Sequence, residues 1–167
     1  MKNLRIGLVA LAAIAFCALP TLAGSAAHPG WEKMKLLVGE WEGKYNDASP
    51  VRVSYKLVSN GTSLMESLQA PGETDMVTVY HLDGERLMMT HYCAANNQPR
   101  MRADSAQGEA RQLTFSFLDA TNLASPDAEH MRKLVVTFQD PDHFKQEWTS
   151  RSKGKEDTGV FQYTRKK

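Results

Sequence analysis

Cysteine is nearly absent from this chain. Of 167 residues only Cys17 and Cys93 are cysteines, and Cys17 lies in a leader expected to be removed. An internal disulfide is thereby excluded, and the fold must rest on a packed core. Cys93 is left as a buried inert thiol, an intermolecular pairing site or a reactive group. A charge surplus is absent as well. Lys2 and Arg5 are the only charges before residue 28, so 18 of the 20 basic side chains remain against 19 acidic ones. That balance argues against nucleic acid as a partner, because phosphate contacts need a basic excess on one face. Long apolar runs occur only at the N-terminus, which argues against stable membrane insertion of the rest. CxxC and HExxH spacings are missing, so no metal site is expected from motif. No internal repeat or low-complexity tract is visible.

The single apolar run stretches from Ile6 to Leu19, follows the positive Lys2 and Arg5, and ends at Pro20 before a small-residue stretch from Ala23 to Ala27. It falls short of the ~20 residues a bilayer span needs, and the three-part pattern reads as a secretory signal peptide. Cleavage after Ser25-Ala26-Ala27 is the expectation, giving residues 1–27 as signal, 28–167 as one domain and a periplasmic or secreted location. An acylated Cys17 would need a small residue where bulky Phe16 stands; an uncleaved anchor is the other alternative.

Short β-rich runs then alternate with turn signals about every 8 to 12 residues, an all-β rhythm. The runs are Glu40–Asn46, Val51–Ser59, Thr62–Ala70, Met76–Leu82, Leu87–Ala94, Pro99–Asp104, Gln112–Asp119, His130–Gln139, His143–Arg151 and Thr158–Arg165. Asn60-Gly61 and Asp83-Gly84 read as two-residue hairpin turns, and Pro141-Asp142 and Lys153-Gly154 as further turns. Pro29 to Leu37 reads as a short helix, and Ala120 to Glu129 as the one long connection, a candidate lid. Ten sequential strands with short links predict an all-β, closed antiparallel up-and-down barrel, since closure hides the edges. A sandwich is the competitor, but it needs longer crossovers.

Gly39-Glu40-Trp41, preceded by a short helix and opening the first strand, resembles the start of lipocalins and their calycin relatives. The resemblance implies that Trp41 closes the barrel floor and that Arg165 on the last strand packs across it. Leu57–Thr62, Val79–Gly84, Thr90–Cys93, Asn97–Met101, Phe117–Leu123 and Gln146–Trp148 are similar to exported bacterial proteins of the domain-of-unknown-function 1579 group. That likeness implies fold and compartment, and no activity. The haem-binding nitrobindin barrels of the same superfamily use a histidine near the C-terminal strand as axial ligand. Thr158 to Arg165 holds none, so neither haem nor another cofactor is expected.

The densest polar cluster runs from His91 to Arg100. On a strand, positions i and i+2 share a face, so His91 and Cys93 point together with Leu87 and Met89, or Met88, Thr90 and Tyr92 face the interior instead. Leu87 to Met89 is apolar on both faces, and periodicity leaves the choice open. Three readings follow. The polar groups tie the rim together; or His91, Tyr92, Cys93, Asn97, Gln98, Arg100, Glu66 and Trp148 form a ligand pocket, with Arg100 or Arg102 meeting an acidic head group; or Cys93 and His91 act as nucleophile and base of a hydrolase or isomerase, or ligate zinc with His81 or His130. An inward Glu66 would need a partner such as Arg100. The expected function is an exported protein that binds a small hydrophobic or amphipathic molecule in the lumen; an enzyme and an envelope interaction protein are the alternatives. The oligomeric state stays open.

Overall fold

The computed structural model describes residues 28–70, 72, 74–104 and 111–167; the signal-peptide and cleavage expectations lie outside them. One helix, α1 (Pro29–Lys35), precedes ten strands: β1 (Gly39–Tyr45), β2 (Ser49–Val58), β3 (Ser63–Gln69), β4 (Met76–Asp83), β5 (Arg86–Tyr92), β6 (Gln98–Ala103), β7 (Gln112–Thr121), β8 (His130–Asp140), β9 (His143–Ser152) and β10 (Lys155–Arg165). Each strand pairs with its sequence neighbours, and β1 pairs antiparallel with β10 from Trp41 opposite Arg165 to Tyr45 opposite Phe161. The sheet is therefore a closed up-and-down barrel, and the sandwich alternative is excluded.

Alternation builds the interior. In β2, Val51, Val53 and Tyr55 are buried while Arg52 and Lys56 are exposed. In β5 the buried set is Leu87, Met89 and His91, which settles the face that the sequence left open; Tyr92 is 51% exposed on the outside. The helix covers one end. Its Trp31 and Met34 join Leu37, Trp41, Leu87, Leu113 and Phe144 in the core, and a Cβ on Gly30 would lie 3.3 Å from both Leu87 and Leu113. His28 Nδ1 accepts the Trp31 backbone N–H at 3.1 Å and caps the helix, with Pro29 following where a missing N–H costs nothing.

At the same end Arg165 locks the link between α1 and β1 to the last strand. Its guanidinium lies 4.0 Å from the centre of the Trp41 ring and donates to the carbonyls of Leu36 (2.8 Å), Val38 (3.0 Å) and Pro141 (3.2 Å). Trp41 Nε1 donates to Leu37 O at 2.7 Å.

Two turns differ from their sequence reading. Ser59, Asn60 and Gly61 all take positive φ, and a single 3-10 turn joins β2 to β3, so the link is longer than two residues. Asp83 pairs with Arg86, which moves the second turn to Gly84-Glu85. Ala120 and Thr121 extend β7, shortening the long connection to residues 122–129.

Candidate functional site

The inward positions of β2 to β5 place four polar side chains side by side. Tyr55 is opposite Glu66, Glu66 opposite Thr78, and Thr78 opposite His91. Gln146 and Trp148 on β9 complete the row from across the barrel. Gln146 Nε2 donates to Tyr55 OH at 2.9 Å and to Glu66 at 3.1 Å, Tyr80 OH donates to Glu66 at 2.6 Å, and Trp148 Nε1 lies 3.4 Å from Gln146 Oε1. The His91 ring faces Trp148 with centroids 4.7 Å apart, and its Nδ1 is 2.9 Å from Thr78 Oγ1. Towards the helix end the interior is apolar, filled by Leu64, Met89, Met101, Phe115, Leu134 and Val136. The buried apolar side chains form one cluster that continues past the row to Val51, Val53 and Leu68.

Burial sets the protonation of this row. Desolvation raises the Glu66 pKa, although hydrogen bonds from Tyr80, Tyr55 and Gln146 pull against it. The same desolvation, reinforced by Glu66, carries Tyr55, Tyr80 and Tyr163 well above the usual phenol value. His91 falls to about 4, so the imidazole is neutral at pH 7. Its Nε2 and the Tyr163 hydroxyl are buried with no hydrogen-bond partner among the described residues. Both are exceptions to the rule that buried polar atoms are paired.

The expected cluster is only partly assembled. Glu66, His91 and Trp148 converge inside. Asn97 is buried at the rim, where Nδ2 donates to Glu129 O at 2.7 Å. Cys93 lies just past β5, half-buried, its backbone N–H bonded to Asn97 O. Tyr92, Gln98 and Arg100 face outward: Gln98 accepts from Thr121 Oγ1, and Arg100 makes a two-pronged pair with Asp119 at 2.5 and 2.6 Å. Arg100 therefore neither partners Glu66 nor offers a lumenal cation, because the alternation that sends Pro99 and Met101 inward sends it out. The residues missed by sequence reasoning are Tyr55, Tyr80, Gln146 and Tyr163. Their alternation was legible, but their meeting depends on cross-barrel proximity.

The chemistry of a nucleophile is not favoured here. Burial raises the Cys93 thiol pKa and lowers that of His91, the reverse of an activated thiolate–imidazolium pair. His81 has the opposite parity to buried Tyr80, and His130 packs on Phe117 at 4.9 Å. Among the described residues, no three His, Cys, Asp or Glu side chains gather as a metal site.

The loop over residues 122–129 is held at the rim. Asn122 Nδ2 donates to Asn96 O, and the Lys153 N–H donates to Asp127 O at 3.0 Å. Together with the bond from Asn97 to Glu129 O, these ties join the loop to the β5–β6 and β9–β10 hairpins. Two open clefts lie elsewhere, one of about 370 Å³ at the helix end and one of about 430 Å³ along β1 to β3.

No family model matches the chain, and no curated protein matches it. Among solved structures it is similar to Rv2717c from M. tuberculosis, with 14% identity, a TM-score of 0.55, and coverage of 83% of this chain and 98% of that one. A protein of unknown function from the DUF3598 family of Nostoc punctiforme aligns over 80% of this chain at 14% identity and a TM-score of 0.45. This chain spans about half of that protein, 49% of its length. The likeness to Rv2717c concerns the fold alone.

Proposed function

We propose that this is an exported binding protein that holds a small, largely hydrophobic molecule in the rim half of its barrel, above the Glu66–Gln146 row. The observation that carries this reading is the unpartnered His91 Nε2, buried beside the Trp148 ring. Leaving such atoms unbonded costs about 1–3 kcal/mol each, and a ligand group that meets one recovers that cost. Trp148 offers a flat surface for an apolar body. Asn97 Oδ1 and Arg151 Nε, the latter on β9 opposite His130, are likewise buried without a partner among the described residues.

Entry requires the rim to yield, because Trp148 and His91 are each buried and the 122–129 loop is tied across that end. The ties are a few polar contacts, weak enough for such a loop to lift. The leader-like Lys2 to Ala27 segment supports export.

Native mass spectrometry of protein purified from its own host should retain a molecule of defined mass. Titration with a neutral naphthalene-based dye should saturate at one per chain and weaken about tenfold in His91→Ala, which is 1.4 kcal/mol. Neither a retained molecule nor saturable dye binding would sink the reading.

A further inference from the structure

The helix end of the barrel carries a cleft that the rim-site reading does not use. Its volume, about 370 Å³, lies within the range of small-molecule sites. The floor is aromatic: Trp41 meets Phe144 edge-on with ring centroids 4.7 Å apart, and Phe138 lies beside them. Leu36 forms one wall and is 62% exposed, the most exposed large apolar side chain among those described. A side chain of this kind costs free energy in water and gains it under an apolar ligand.

The polar edge of the cleft is mainly cationic. Lys33, Arg111 and Arg165 line it against the single carboxylate of Asp140. Asp140 is already occupied, accepting from the Asp142 backbone N–H at 2.8 Å and lying 2.9 Å from His143 Nδ1. Arg165 is likewise committed to three carbonyls and the Trp41 ring. Lys33 and Arg111 make no ion pair with any described residue, whereas the neighbouring Lys35 pairs with Glu32 at 2.7 Å. Among the described residues, two cations without an ion-pair partner thus stand over an aromatic floor.

We infer that this cleft is a second binding site, at the opposite end of the barrel from the rim, for an amphipathic anion: a carboxylate with a short hydrocarbon tail. The tail lies on Trp41, Phe138 and Phe144 against Leu36, and the carboxylate reaches Lys33 and Arg111. Arginine suits this role because its planar fork pairs with both oxygens of a carboxylate.

The test is NMR titration of the full-length protein with octanoate and, separately, octanol. The indole N–H of Trp41 reports this cleft, and that of Trp148 reports the rim. Octanoate should shift Trp41 saturably and leave Trp148 in place, and octanol should bind more weakly. A K33A/R111A double variant, altered only at half-buried and exposed positions, should lose about tenfold in octanoate affinity and nothing for octanol, since each exposed ion pair contributes up to ~1 kcal/mol. Added salt should weaken octanoate alone. Shifts at Trp148 instead of Trp41, equal binding of the two probes, or an unchanged double variant would overturn the inference.

Discussion

Glu66 and His91, neighbours across Thr78 in one inward row, push stability in opposite directions with pH. Burial raises the Glu66 pKa, so the folded state holds this proton more tightly than the unfolded one, and stability falls as pH rises through its folded value. Glu66→Gln should therefore stabilise the protein at pH 8 and leave it unchanged near pH 4, as chemical denaturation at both values would show. His91 drops from 6.5 to about 4, so the unfolded state binds the extra proton between those values. Stability is complete above pH 6.5 and declines by roughly 3 kcal/mol on acidification to pH 4. A His91→Gln variant should lack that decline in the same measurement. Cys93, with its thiol pKa raised, should react with a disulfide reagent at pH 7 more slowly than free cysteine. A faster reaction would restore the nucleophile alternative. At this scale the sequence was informative about Glu66, whose flanking Leu64 and Leu68 marked an apolar face. It was silent on His91, because Leu87 to Met89 is apolar on both faces. The partners of Glu66 were out of its reach, since Gln146 lies 80 positions away along the chain.

The strands were the most legible elements, because one buried face imposes a period of two that side chains cannot hide. β10 shows where that signal fades: residues 155–158 are exposed throughout, and the strand begins three residues before the expected Thr158 and five before its first apolar side chain, Val160. Turns were read less well, since several conformations accept the same Asn, Asp and Gly residues. Pro141-Asp142 falls where it was expected, and at Lys153-Gly154 composition and geometry agree as well. Both residues take positive φ, and Ser152 pairs with Lys155 as in a tight hairpin. Gly154→Ala should cost about 1 kcal/mol there, measured as a lowered melting temperature. Gly43 is constrained by space rather than by dihedral angle. A Cβ would meet Gln162 O at 2.1 Å and the Tyr163 ring at 2.7 Å. Gly43→Ala should destabilise by about 3 kcal/mol and push β1 from β10.

For the molecule as a whole, closure between β1 and β10 is the contact of greatest sequence separation, and barrels of this kind fold in milliseconds to seconds. Arg165 holds that seam. Arg165→Ala removes a cation–π contact and three charged hydrogen bonds, and about 3 kcal/mol should go with them. Arg165→Lys should recover little, since an ammonium cannot span the carbonyls of Leu36, Val38 and Pro141.

The seam also sets an order of events during synthesis. The first strand to emerge waits for the last, and until residue 165 arrives the chain is a curled ribbon with two bare margins. A premature stop before β10 would leave those margins exposed for good, and the shortened product should clump through them rather than survive as a smaller barrel.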